Sequence, residues 1–368
     1  MTSTPLAEKI KALIRVNGPI SVTDFFSLCL ADPEHGYYQT REPFGRDGDF
    51  ITAPEISQLF GEMIGIFLVH AWQRHGMPAN ARIVEIGPGR GTMMSDILRV
   101  VAKLAPPLYQ SAGIHLVETS ARLQDVQQET LAAHDGRIHW HESFDTVPPG
   151  FTLLAANELF DAIPIRQFVK TPIGFRERMV ILDDRDELAF GVGVAGIDPA
   201  LLPVDPGAVP EGTVFEIAPA RQAVMTTLCE RLKNSGGTAI IIDYGTMVTG
   251  FGDTLQAVLR HDYDPPLAHP GEADLTSHVD FQHLAEVAKA NGVAINGCLR
   301  QGDFLYGLGI QQRVNALSEG RDPAVASMIR AAASRLADEG EGKMGELFKV
   351  LVVSSPAVDL LPFRPIPH

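Results

Sequence analysis

Three glycines at alternate positions, Gly87-Pro88-Gly89-Arg90-Gly91, follow the apolar run Ile83-Val84-Glu85-Ile86. They precede Thr92, Met93, Met94, Ile97, Leu98 and Val101, which recur at helical spacing. A strand that feeds a helix through such a turn lets backbone N–H groups and the helix N-terminus approach a ligand closely. The spacing selects the ligand. A pyrophosphate turn requires G-x-G-x-x-G, the third glycine easing helix packing. Here the third glycine is Gly91 and Thr92 takes the sixth position, which disfavours a nicotinamide dinucleotide. Glycines alone also read as a tight strand-to-helix turn without a ligand. The next strand, Ile114-His115-Leu116-Val117, runs into Glu118, whose carboxylate is placed to accept hydrogen bonds from two ribose hydroxyls. It lies farther along than the roughly 20 residues of a tight nucleotide unit, and a Pro106-Pro107 loop takes up the excess.

In open parallel sheets, ligands bind outside the carboxyl ends of the strands. The fourth strand, near 151–156, ends in Asn157-Glu158-Leu159-Phe160-Asp161. Three polar groups at one strand end are costly to bury without partners, so Asn157, Glu158 and Asp161 are the catalytic candidates. Glu158 and Asp161 could receive a guanidinium in paired, charge-assisted hydrogen bonds. Arginine keeps its proton in bulk water, so a carboxylate there would stabilise it and direct proton departure. The alternative is a helix start, with Asn157 as cap and the acids facing the first-turn dipole.

Other polar clusters have two readings each. Glu142-Ser143-Phe144-Asp145 reads by itself as a solvated turn, while its resemblance to enzymes with side chains there beside an adenine implies a wall for a base. The segment Gly48-Asp49-Phe50-Ile51-Thr52-Ala53-Pro54-Glu55 is a helix start with Thr52 and Glu55 as a capping box and Pro54 in the first turn, a lid over the ligand, or both. His278 invites a general-base role or a structural one. Asp243-Tyr244-Gly245 ends the fifth strand and lines a channel or merely terminates it. His261, Asp262 and Asp264 lack a partner at metal-ligand spacing and read as loop residues, so no metal is expected.

Positioning these groups requires a parallel sheet covered on both faces, hence an α/β fold. Residues up to about 80 read as helical, with Ile56, Leu59, Phe60, Met63, Ile64, Phe67, Leu68 and Ala71 forming one apolar face. Strands then alternate with helices at 82–86, 113–117, near 137–140, 151–156 and 238–242, and a final strand covers 347–353. Insertions interrupt the series near 165–215, with antiparallel strands and a Pro-rich loop, and near 246–275, a segment rich in Gly, Asp and Pro in which 264–271 reads as loop. A helix near 281–290 closes on Asn291-Gly292, and another starts at Asp322-Pro323.

The 368 residues suffice for one large or two medium domains. Net charge is −15 with basic residues dispersed, which gives no nucleic-acid footprint. No apolar run reaches the roughly 18 residues of a membrane span. Cys29, Cys229 and Cys298 are far apart and odd in number, which predicts reduced, buried thiols. The N-terminus has neither a signal-peptide core nor a transit-peptide pattern, so a bacterial cytoplasmic protein is expected; a processed organellar homologue would sit in the mitochondrial matrix.

The E-x-G-x-G-x-G spacing resembles the first motif of class I S-adenosylmethionine-dependent methyltransferases, and Asn157 with Phe160 resembles the post-strand turn of many N-methyltransferases. Gly45 with Gly48 to Glu55, Glu85 to Gly91, Asn157 to Pro164, Asp243-Tyr244-Gly245 and Thr276 to Phe281 together look like the MidA-like family. That family includes a mitochondrial complex I assembly factor that symmetrically dimethylates an arginine of a core complex I subunit. The resemblance implies a Rossmann-like sheet of seven strands in a methyltransferase domain at 81–368, a helical N-terminal region at 1–80 and insertions over the cleft. It also implies S-adenosyl-L-methionine as cofactor and a protein, with a complex I subunit among the candidates, as partner. Thr52, Pro54, Glu85, Gly87, Gly89, Gly91, Glu118, Ser143 and Phe144 would bind the cofactor, and Asn157, Glu158 and Asp161 would carry the chemistry. The double-glutamate hairpin of better-known arginine methyltransferases is not recognisable. A small-molecule methyltransferase on the same scaffold, or a non-catalytic assembly factor, is the alternative; acceptor, oligomeric state and degree of methylation stay open.

Overall fold

The computed structural model describes residues 3–40, 52–134 and 136–364. Gly45 and Gly48 to Ile51, part of the expected lid, lie outside these described residues. The chain divides into two compact units. One comprises Ile51–Leu159, Val224–Met247 and Phe281–His368, the other Met1–Phe50, Phe160–Ala223 and Val248–Asp280.

The first unit is built on seven strands: β1 (Arg82–Ile86), β2 (Gly113–Val117), β3 (Ile138–His141), β4 (Thr152–Asn157), β5 (Gly237–Thr246), β6 (Ala294–Arg300) and β7 (Phe348–Ser355). Their spatial order is β6-β7-β5-β4-β1-β2-β3. β1 pairs in parallel with β2 and β4, β2 with β3, and β4 with β5, while β7 runs antiparallel to both β5 and β6. The order reverses between β1 and β4, which is where such sheets bind ligands. β4 is buried at every position and β1 at all but its first, because helices cover both faces. These are the seven strands that the resemblance implied, with helices on both faces.

β6 was not read from the sequence. Gly297 interrupts its apolar pattern at a register shift against β7, in a strand at the edge of the sheet. β5 also runs on past Asp243 to Thr246. Its parallel pairing with β4 stops at Ile242 opposite Asn157, but its antiparallel pairing with β7 continues to Tyr244 opposite Phe348. Pro106-Pro107 opens a short helix, Pro106–Ser111, rather than a loop, since proline in the first turn forfeits no helical bond.

The long apolar segment after residue 52 forms two helices. Ala53–Ile56 ends at Ser57, which turns extended and caps Gln58–Arg74 by accepting from the Leu59 N–H. The expected capping box is absent: Thr52 makes no side-chain cap bond, and Glu55 instead accepts from Thr92 Oγ1 at 2.6 Å. That bond anchors the short helix to the helix Thr92–Leu104. The helix Gln58–Arg74, expected within the N-terminal region, belongs to the sheet unit. It lies close against Thr92–Leu104 because Gly61 and Gly65 face it; a Cβ at Gly61 would stand 2.6 Å from Asp96 Cβ.

In the second unit, Pro5–Asn17 and Val22–Ala31 are helices capped by Thr4 and Ser21. The strand Gly174–Leu182 pairs antiparallel with Arg166–Thr171, Ile20–Ser21 and Leu188–Gly196, and Arg166–Thr171 also pairs with Val214–Ile217. In the 246–275 insertion, Asp262 and Asp264, which read as loop residues in the sequence, lie in a short strand. Gln256–Leu259 pairs with Asp262–Asp264 and with Asp274–Thr276. Leu6, Ile10, Phe25, Phe26, Tyr37, Val180 and Leu275 share this unit's core. Among the described residues, no helix is long and apolar enough to cross a membrane.

Candidate active site

The turn after β1 explains its glycines. Gly87, Gly89 and Gly91 have φ of 68°, 53° and 80°, the left-handed region that side chains disfavour. A Cβ at Gly87 would also press on Leu159 Cδ1 at 3.3 Å. The Gly87 N–H donates to Val117 O at 3.1 Å, tying the turn to the end of β2, and Gly91 stands at the N-cap of Thr92–Leu104. Glu85 is buried within β1. Burial pushes its carboxyl well above the ordinary range, and the Met94 N–H pulls it back. Its Oε2 has no hydrogen-bond partner among the described residues. Glu85 thus braces the strand against the helix that follows the turn.

Glu118 leaves the end of β2 and turns back to the glycines. Its Oε1 accepts from the Ser120 N–H at 2.8 Å and its Oε2 from Gln127 Nε2 at 3.2 Å. The same Nε2 donates to Gly89 O at 2.8 Å, so one amide spans the acid and the turn. Burial raises the Glu118 carboxyl, opposed by the hydrogen bonds from Ser120 and Gln127. The Thr119 N–H lowers it as well; a carboxylate offers about four acceptor sites, so acceptor capacity remains for a diol.

Asn157 ends β4. Its Nδ2 donates to Glu158 Oε1 at 3.0 Å, while its buried Oδ1 has no partner among the described residues. Glu158 adopts φ of 51°, a strained conformation for a residue with a side chain. Its N–H donates to Ile242 O at 2.9 Å, and its Oε1 lies 3.4 Å from the Ala53 N. Asn157 is therefore not the N-cap of a helix, since strand and turn residues follow it.

The remaining candidates are placed as follows. Thr52 and Pro54 sit at the start of the short helix whose Glu55 reaches Thr92. Ser143 caps a single turn, Phe144–Thr146, and the Arg231 guanidinium lies 5.1 Å from the Phe144 ring centre. Asp161 belongs to the second unit, where its carbonyl accepts from Ser277 N and Arg221 Nη2. Arg221 also donates to Ser277 Oγ and to the carbonyls of Ile163 and His278, so His278 is held by its backbone. The Asp243 carboxylate accepts from the Tyr244 N–H. Asp264 pairs with His269 at 2.8 Å, and among the described residues no group of three or more His, Cys, Asp or Glu side chains converges on a metal position. The three thiols form no disulfide; Cys29 and Cys229 are buried as expected, whereas Cys298 is half-buried, and burial raises them all, Cys229 to about 11 and Cys298 to about 12.

A family described as "Putative S-adenosyl-L-methionine-dependent methyltransferase" matches residues 63–299. The chain belongs to this family. The methyltransferase is 34% identical over 375 residues to the mitochondrial protein arginine methyltransferase NDUFAF7 of Danio rerio, spanning 96% of this chain and 86% of that one. The human protein of the same name is 33% identical over 371 residues, spanning 94% and 82%. A crystal structure of a superfamily member from Burkholderia thailandensis, bound to S-adenosyl-homocysteine, superposes with a TM-score of 0.81. It is 27% identical and covers 98% of this chain and 96% of its own.

S-adenosyl-L-methionine is accordingly the cofactor, and the residues present fit it. Three left-handed glycines leave their backbone bare of side chains, and a buried acid with spare acceptor sites stands beside them. Three residues around this arrangement were not anticipated. Gln127 lies on a helix, Ala121–Thr130, that is polar enough to read as solvated, yet it is fully buried. Its four-residue spacing from buried Leu123 was the one available signal. Trp140, beside it, donates to Gln127 Oε1 at 2.9 Å. Asp96 is pushed up to about 6 by burial, with Arg99 lowering it and Glu62 and Glu55 raising it further.

Proposed function

We propose that this methyltransferase transfers methyl groups to arginine side chains of a protein, with symmetric dimethylarginine as product and a respiratory complex I subunit or another protein as acceptor. Action in a bacterial cytoplasm is part of the same reading. The observation that carries it is the Asn157-Glu158 pair at the carboxyl end of β4, next to the strand that bears the glycine turn. Similarity along nearly the whole chain to protein arginine methyltransferases supports the acceptor class.

S-adenosyl-L-methionine, when bound, supplies an electrophilic methyl group on a sulfonium. The chain has to aim a guanidinium nitrogen at it and manage a proton, because the displacement barrier falls mainly through positioning. Asn157 Oδ1 is a buried acceptor that an N–H of the acceptor would satisfy, which recovers the cost of leaving it unpaired. The Glu158 carboxylate, steadied by Asn157 Nδ2, would draw the guanidinium into a charge-assisted hydrogen bond. The same carboxylate would take the proton that the guanidinium nitrogen gives up on methylation.

Glu158→Gln keeps the side-chain shape and removes the charge. Calorimetry with S-adenosylhomocysteine should give an unchanged affinity, while transfer of labelled methyl to lysate protein falls by about a hundredfold or more, within the range for removing an acid–base group. Acid hydrolysis of the labelled product should release symmetric dimethylarginine. Full transfer activity in Glu158→Gln would remove the assigned role, and label recovered only in small molecules would remove the protein acceptor.

A further inference from the structure

We infer that Gln127 is a positioning residue for the cofactor site, holding the Glu118 carboxylate and the glycine turn in one fixed geometry without touching the ligand itself. This rests on the reading that Glu118 accepts the ribose hydroxyls. The amide has no freedom to flip. Trp140 Nε1 can only donate, so the 2.9 Å contact fixes Gln127 Oε1 as the acceptor. The NH2 group then points the other way. One hydrogen meets Gly89 O at 2.8 Å and the other Glu118 Oε2 at 3.2 Å. Every hydrogen-bonding atom of this fully buried side chain is in use except the second lone pair of Oε1.

Two consequences follow from that geometry. Gly89 is the central glycine of the turn, and its left-handed backbone has no side chain to hold it; the bond to its carbonyl supplies the restraint. The Glu118 carboxylate is pinned at both oxygens, by Ser120 N and by Gln127, so its remaining lone pairs keep one direction. The Gln127 stem also lies within van der Waals reach of Gly91. Losing Gln127 would leave the acid held from its backbone neighbours alone and the turn without its restraint at Gly89, and the ligand would have to order both on binding.

The test compares S-adenosylhomocysteine with its 2′,3′-dideoxy analogue by calorimetry on the full chain. Gln127→Met, of similar volume, should weaken S-adenosylhomocysteine roughly tenfold, as expected for disturbing one hydrogen bond to a charged group. The dideoxy analogue, which cannot engage Glu118 but still lies on the turn, should lose several-fold less than S-adenosylhomocysteine. Trp140→Phe, which frees the amide to flip, should show the same ligand selectivity with a smaller loss, and it serves if Gln127→Met does not fold. Equal weakening of both ligands, or of neither, would overturn the positioning role. Wild-type protein binding both ligands alike would instead overturn the ribose role of Glu118.

Discussion

Replacing Glu118 by glutamine keeps the shape of the side chain and changes what its end can accept. The Ser120 N–H, fixed in the backbone at 2.8 Å from Oε1, would claim the single amide oxygen. The new NH2 group would then face Gln127 Nε2, now 3.2 Å from Oε2, donor against donor. The acceptor direction that Oε2 offers to a ribose diol is lost. A hydrogen bond to a charged group contributes about 1.5–3 kcal/mol, so the Kd for S-adenosylhomocysteine should rise roughly 10- to 150-fold. A second readout comes from titration. Burial raises the Glu118 carboxyl, and a diol prefers its ionised form, so wild-type affinity should fall as pH drops through that raised value. The glutamine variant should lack this dependence over the same range. Calorimetry from pH 5 to 8 reads both effects. A change in Kd below about twofold, with parallel pH profiles, would refute the reasoning.

The helix contact and the buried acid near it give two further tests. Gly61→Ala would force a Cβ to 2.6 Å from Asp96 Cβ and 3.1 Å from Met93 O. Such overpacking costs about 1–3 kcal/mol and should lower the Tm by roughly 3–10 °C; a wild-type Tm would contradict the close approach of the two helices. Asp96 has its folded pKa raised from 3.8 to about 6. Its contribution to stability is thus present below the unfolded value and is lost as pH rises through about 6. Asp96→Asn removes that titration, so the Tm of the variant minus that of wild type should grow between pH 4 and 7 in thermal melts. A constant or shrinking difference would show that Asp96 is not destabilised by its surroundings.

The parts of the fold legible in the sequence were those with unbroken local patterns. β1, β2, β4 and the start of β5 are apolar runs buried on both faces, and Gly87, Gly89 and Gly91 announce the turn because no other residue adopts three left-handed conformations so cheaply. What was missed depends on distant partners. The turn between Gln256–Leu259 and Asp262–Asp264 uses Arg260 and His261 at φ of 54° and 70°, without the Asn-Gly signal that marks such hairpins. Val214–Ile217 follows a proline-rich stretch and is held by its pairing with Arg166–Thr171. Glu55 fits a capping box by spacing, but a threonine 37 positions away in the chain takes its carboxylate. Gln127 looks like any surface glutamine until Trp140, Gly89 and Glu118 surround it. Asn157 and Glu158 stood out because polar groups end a buried strand; the 51° φ of Glu158 was beyond reach of any sequence rule.

The central claim is that the cofactor lodges against the turn after β1 with its ribose held by Glu118. A crystal structure of this protein with S-adenosylhomocysteine tests it most directly. Both ribose hydroxyls should lie within about 3 Å of the Glu118 carboxylate, with the homocysteine part along Gly87 to Gly91. Ribose density directed away from Glu118, or ligand lodged elsewhere in the protein, would contradict the account.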